Sequence, residues 1–297
     1  MADSRKVFIY NAEGTGPLST ADLNELFTTG ENIFTNQPDV SLRNFDFNVD
    51  GLENPVFVVP GGSTSLIGKK LKPQIDKIKS SLGENFSYVG VCAGAFLGTT
   101  DAQLYYTTHE LDSIYRTYQP AVFVGSTKTM EMALGMIDGH EAIGAFYPND
   151  SQLGATPKTL MPYHVTLSLT KDNKQLSQLY VAGPGFISCK KDEEKHSSEI
   201  VATYVDHRNY TVYGKQKVDQ LAAIIRTSPQ EKKGGRFLSA THIETCVEKS
   251  KLLNLFKSDG KNNASLNKNE HDLLTKEQKN LKSQVESLLH ESLKLHS

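Results

Sequence analysis

The stretch "YVGVCAGAFLGTT", residues 88–100, is where the fold of this chain is decided. An apolar run leads into Cys92, and a string of small residues follows. Tyr88–Val91 reads as a short buried strand, and "AGAFLGTTDAQLYYTT" begins like a helix. A cysteine at such a junction has two readings. One is a core thiol among apolar neighbours. The other is a nucleophile raised on a sharp strand-to-helix turn, a nucleophile elbow. Gly90 and Gly94 bracket Cys92 as Gly-x-Cys-x-Gly, and small neighbours let a chain turn there without clashes. A helix starting behind the thiol would aim its free N–H groups and dipole at a thiolate. The motif alone is common by chance, so the choice falls to the rest of the chain.

Before this stretch the chain alternates strand and helix. "KVFIY" (6–10) predicts a buried strand that ends in the glycine-bearing turn "NAEGTG". "LSTADLNELFTTG" (18–30) predicts a helix with Ser19 or Thr20 as its cap and Gly30 at its end. "NPVFVVPGG" (54–62) predicts a strand stopped by Pro60 and two glycines. Apolar residues at 71, 75, 78 and 82 predict a helix over 71–83. The expected fold class is α/β: three layers, α/β/α, around a mostly parallel flavodoxin-like sheet. Beyond residue 120, strand-like runs at 121–125, 163–169, 178–183, 200–205, 210–214, 221–227 and 235–241 predict antiparallel additions. The charged run 189–199 reads as a solvated loop.

The expected organisation is a domain over 1–257, a polar linker over 258–271 and an amphipathic helix over 272–297. Leu274, Leu281, Val285, Leu288 and Leu289 form the apolar stripe of that helix. It packs back on the domain, stays mobile, or serves as a docking or coiled-coil arm for a protein partner.

A net charge of −2 argues against a nucleic-acid partner held by bulk charge. Three cysteines, Cys92, Cys189 and Cys246, form no disulfide framework and fit a reducing compartment. No zinc-like Cys or His spacing occurs, and neither a metal nor a cofactor is expected. The N-terminal apolar run is too short for a signal peptide and no run is long enough to span a membrane, so a cytoplasmic location is expected.

Acyl transfer by Cys92 needs donors for an oxyanion and a base. "VVPGGST" ends the preceding strand, and adjacent strand ends lie side by side at the carboxyl edge of such a sheet. The N–H groups of Gly61 or Gly62, with Ala93 as second donor, are the candidates for an oxyanion hole. Among nine histidines, His242 differs from the rest. It follows a strand in "GGRFLSATHIETC", and Glu244 stands two residues on. In His-x-Glu the carboxylate can reach back to orient the imidazole and leave its other nitrogen for a nucleophile.

With these pieces assembled, the chain resembles the class I glutamine amidotransferase-like fold. More closely it is similar to the N-terminal domain of biotin–protein ligases and its free-standing relatives. The resemblance rests on "VFIYNAEGTGPLS", "VFVVPGGST", "YVGVCAGAFLGT", "LYVAGPGFI", "IVATYVDHRN" and "GGRFLSATHIE", spread over residues 6–245. It implies a Cys92–His242–Glu244 triad with an oxyanion site near Gly61–Gly62. The chain also departs from the pattern. Ala95-Phe96-Leu97 stands where true glutamine amidotransferases carry a glutamine-holding group, and Ser63-Thr64-Ser65 follows Pro-Gly-Gly in place of an acidic residue. No Gly-Arg-Gly-x-x-x-Arg-like segment occurs, so biotin transfer is not expected. Two functions follow as expectations. One is a cysteine hydrolase or acyl/amido-transferase acting on a small amide, ester or thioester. The other is a non-catalytic ligand- or protein-binding module that retains the fold.

Overall fold

The computed structural model describes residues 5–30, 34, 38–104, 133–144, 163–180, 183–188, 198–205, 211–212, 216–217, 221–245 and 268–293. The strand expected at 121–125, the loop at 189–197, and Cys189 and Cys246 lie outside them.

In chain order the first elements are β1 (Lys6–Tyr10), α1 (Pro17–Thr29), β2 (Asp39–Arg43), β3 (Val56–Val59), α2 (Thr64–Leu82), β4 (Ser87–Val91) and α3 (Ala93–Leu97). Then come β5 (Thr99–Leu104), β6 (Ile137–Gly144), β7 (Tyr163–Leu169), β8 (Gln175–Tyr180), β9 (Gly185–Ser188) and β10 (Ser198–Tyr204). The last are β11 (Thr211–Val212), β12 (Gln216–Lys217), β13 (Ala222–Thr227), β14 (Arg236–Ser239), a 3-10 turn (Ile243–Thr245) and α4 (Lys268–Leu293).

The main sheet runs β2-β1-β3-β4-β14-β13-β10-β7-β8. From β2 to β14 every pairing is parallel, and from β14 onward the ladders are antiparallel. This is the α/β class with antiparallel additions read from the sequence, and the order of its parallel half is flavodoxin-like. Strands β3 and β4 are buried along their whole length and β1 from Val7 onward, because both faces of a parallel sheet are covered. Helix α2 buries Ile67, Leu71, Ile75 and Ile78, one face at helical spacing.

Two expectations are corrected. Helix α1 is capped by Gly16 with Pro17 at its first position, so Ser19 and Thr20 lie inside it. The segment after Cys92 is helical only as far as Leu97. Gly98 closes it with its N–H on the carbonyls of Gly94 and Ala95, and Thr99 opens β5 beside β6. The exposed edge strand β2 has no expectation to match, because its polar residues give no strand-like apolar run.

Helix α4 begins at Lys268, inside the stretch expected as linker. Its Val285, Leu289 and Leu293 are fully or almost fully buried, with Leu281 and Leu288 packed beside them. The apolar stripe, where its side chains are described, is covered by the domain itself. Its last turn is tied down by Arg226 Nη1, 2.9 Å from Glu291 Oε2, and by Arg5, which donates to the carbonyl of Leu293.

At the start of β14, buried Arg236 holds that end of the sheet together. Its Nη2 lies 2.8 Å from Glu84 Oε2 and its guanidinium sits 4.4 Å from the Phe86 ring centroid. Burial lowers its pKa to about 10, although Glu84 pulls the other way. No helix among the described residues is long and apolar enough to cross a membrane.

Candidate active site

Parallel strands place the residues that follow them along one edge. Here β3, β4 and β14 are consecutive, with Val59 opposite Gly90 and Ser239 opposite Val91. Gly61, Cys92 and His242 follow these three strands and so reach the same carboxyl edge, although 181 positions separate the first from the last in the numbering 61–242. The turn after β1 joins them: the N–H of Gly16 donates to Gly61 O at 2.8 Å and that of Ser63 to Gly14 O at 2.8 Å.

Cys92 adopts φ 50° and ψ −106°. A non-glycine residue there carries strain of about 1–3 kcal/mol, which surrounding contacts must hold. Its N–H donates to Ser239 O at 2.8 Å, its carbonyl accepts from Phe96 N–H at 2.9 Å, and Tyr88 OH donates to Gly94 O at 2.8 Å. The bracket glycines are sterically required. A Cβ on Gly90 would stand 2.5 Å from Gly94 O, and one on Gly94 would stand 2.1 Å from Val59 O. The turn folds back that tightly on its own strand and on β3. The helix behind the thiol is only five residues long, so its dipole is much smaller than the sequence promised.

His242 is fixed by its backbone. Its N–H donates to Leu179 O on β8 at 2.8 Å, and its carbonyl accepts from Thr245 Oγ1 at 2.7 Å. The 3-10 turn then brings Glu244 back under the imidazole, with Nδ1 2.8 Å from Oε1. The Glu244 side chain is 0% exposed and that of His242 11% exposed. On its other side the imidazole hydrogen-bonds Cys92. Burial by itself would lower the His242 pKa. The charge of Glu244, then the charge and hydrogen bond of Cys92, override it and hold the imidazole well above its ordinary value.

The oxyanion candidates separate. The Gly61 N–H donates to Ser19 Oγ at 2.9 Å, so that donor is occupied. Gly62 has φ 150°, and a Cβ on it would stand 2.2 Å from Gly14 O. Ala93 is the first residue of α3, where a helix leaves its N–H without an intrahelical acceptor.

Sequence reasoning missed Ser19 as a site residue. Its Oγ donates to Glu244 Oε1 at 2.6 Å. The only signal was a serine in a buried helical position, and nothing in the local pattern pairs it with a residue 225 positions away. Elsewhere, His140 on β6 is buried with Nδ1 3.2 Å from Ser198 Oγ. No cluster of three or more His, Cys, Asp or Glu among the described residues could hold a metal ion.

Fold and site together define a class: a mixed α/β protein of flavodoxin-like strand order, with a cysteine on a strained turn at the carboxyl edge and a histidine–carboxylate pair beside it. Within that class, the chain belongs to the family described as "Biotin-protein ligase, N terminal", whose model matches residues 6–297, through α4. A solved glutamine amidotransferase structure is similar at 15% identity and TM-score 0.46, covering 85% of this chain and 97% of its own. A putative ThuA-like protein from Bacteroides uniformis ATCC 8492 is similar at 13% identity and TM-score 0.39, covering 86% of this chain and 91% of its own. No curated protein matches the chain.

Proposed function

We propose that the chain is a cysteine-nucleophile hydrolase or acyl/amido-transferase acting on a small amide, ester or thioester. The observation that carries this reading is the strained Cys92, hydrogen-bonded to a His242 that Glu244 backs at 2.8 Å. A core thiol requires neither the strain nor the partners.

In this reading the turn acts as a nucleophile elbow and the three residues as a triad. His242 takes the thiol proton, and Cys92 Sγ attacks the substrate carbonyl carbon. The carbonyl oxygen becomes an oxyanion and accepts from the N–H groups of Gly62 and Ala93. The tetrahedral species collapses as the bond to the leaving group breaks. His242 donates its proton to that amine, alkoxide or thiolate. An acyl thioester on Cys92 remains. Water, or an amine or alcohol acceptor in a transferase, then attacks the thioester with His242 as base, and the thiol is restored.

A second reading, a non-catalytic binding module, is favoured by one observation. Ala95, Phe96 and Leu97 point into the core at 0–2% exposure, so the segment that would hold a glutamine amide offers no polar group to one. Intact-mass spectrometry with acyl-thioester and activated-ester probes on wild type, Cys92→Ser and His242→Ala separates the two. The enzyme reading expects a covalent acyl adduct on Cys92 that turns over with time and is lost in both variants. A wild-type protein that forms no adduct across the panel would favour the binding module.

A further inference from the structure

We propose that Ser19 is a positioning residue of this site: its hydroxyl holds Glu244 as an aligned acceptor behind His242 and pins the Pro60–Gly61 peptide to the same point. The catalytic meaning of this role rests on the acyl-transfer reading above; the hydrogen-bond chain itself does not.

Ser19 is buried in the first turns of α1. Its Oγ lies 2.9 Å from the backbone nitrogen of Gly61 and 2.6 Å from Oε1 of Glu244. The proton directions are forced by chemistry. A peptide nitrogen only donates, so Gly61 N–H points at Ser19 Oγ. The single hydroxyl proton is then given to Glu244. Oε1 of Glu244 therefore accepts from Ser19, which leaves it to accept a second hydrogen bond from Nδ1–H of His242, 2.8 Å away. With its proton on Nδ1, the imidazole presents its other nitrogen to Cys92.

The second oxygen of Glu244 is buried and finds no hydrogen-bond partner among the described residues. Ser19 and His242 thus supply the hydrogen bonds that fix this carboxylate in place. The ionisable groups that act on His242 are Glu244 on one side and Cys92 on the other. Without the Ser19 hydroxyl, Oε1 loses the contact that fixes it behind Nδ1, and the carboxylate is free to turn away from the imidazole. The protonated form of His242 is then less favoured, and the hydrogen-bond chain from Gly61 at the exit of β3 through Ser19 on α1 to Glu244 beyond β14 is broken at its middle.

The test uses the full chain carrying Cys92→Ser, so that no thiol contributes. The His242 imidazole is titrated by NMR, with its signal assigned by its disappearance in His242→Asn. Adding Ser19→Ala is expected to lower the titration midpoint by about one pH unit, a tenfold change in the protonation equilibrium, the scale of a hydrogen bond to a charged group. Ser19→Thr, which keeps the hydroxyl, is expected to restore most of the shift. A merely structural serine would change the melting temperature without this pattern. Should Ser19→Ala not fold, Ser19→Cys, of similar size with a weaker donor, is expected to move the midpoint in the same direction. A midpoint unchanged from the Cys92→Ser parent overturns the proposal. Covalent labelling of Cys92 in the otherwise wild-type chain is read separately. An inert Cys92 beside a Ser19-dependent His242 would remove the acyl-transfer reading and support this one.

Discussion

A methyl group on Gly61 would stand 2.6 Å from Cε1 of His242 and 3.3 Å from Cβ of Cys92. Gly61 is thus the wall against which the imidazole and the thiol are aligned, and it has no room for any side chain. Gly61→Ala must push His242 off Cys92 or shift the β3 exit. Loss of Cys92 alkylation rate at neutral pH by at least about tenfold is expected, since a displacement of this size removes a hydrogen bond to a charged group. Mass-mapped alkylation measures it. Wild-type labelling in Gly61→Ala would show that the imidazole does not control the thiol.

The bracket glycines of Cys92 predict a stability effect. Gly94→Ala puts a methyl 2.1 Å from the Val59 carbonyl, so the backbone of α3 is driven against that of β3, which cannot yield within the sheet. A loss of about 3 kcal/mol or more is expected, at or above the upper end of the usual cost of overpacking a core. Chemical denaturation reads it, with Gly83→Ala as a control: no heavy atom lies within 4 Å of a Cβ there, so only its positive φ of 61° adds strain.

The raised His242 pKa predicts how stability depends on pH. A group whose folded-state pKa lies above its unfolded value contributes stability that is fully present below the unfolded value. That contribution is lost as pH rises through the folded value. For His242 the loss begins above the ordinary value of 6.5. The stability gap between wild type and His242→Gln is therefore expected to narrow as pH is raised from about 5.5 to about 9, as linkage requires. Urea unfolding at a series of pH values checks this; a gap that widens with pH would mean that His242 is held neutral.

Helix α4 is expected to be indispensable to folding. Leu289 is 0% exposed, and a Cβ on Gly235 at the start of β14 would come 1.7 Å from the Ser292 carbonyl, so helix and sheet meet backbone to backbone. Leu289→Ala should cost about 2–5 kcal/mol, the usual range for emptying a core leucine site. Removal of 268–297 should leave a poorly folded or insoluble chain. A truncated domain with the melting temperature of the full chain would show that the helix is an appendage.

Most of the parallel half of the sheet was legible because its signals are local. "KVFIY" and "VFVV" are apolar runs bounded by turn residues, and α2 repeats its apolar positions at helical spacing. The Gly-x-Cys-x-Gly and His-x-Glu pairs were legible for the same reason, since each lies within one turn of chain. The segment after Cys92 misled because Ala93–Thr100 is small and apolar enough to suit either helix or strand. Pairing of Thr99 and the residues after it with β6, a strand more than thirty positions on, cut the helix short.

The sequence by itself determined the alternation of β1, α1, β3, α2 and β4, the tight turn at Cys92 and the nearness of Glu244 to His242. Each is set by the steric and hydrogen-bonding habits of neighbouring residues. Only the tertiary structure decided that β3, β4 and β14 lie side by side, which delivers Gly61, Cys92 and His242 to one edge. It alone turned Ser19 from a helix cap into the link between Glu244 and Gly61. It alone laid the apolar face of α4 on the domain. These relationships join residues far apart in the chain. They depend on which strands pair, a choice made by the burial of the whole sheet and not by any short stretch within it.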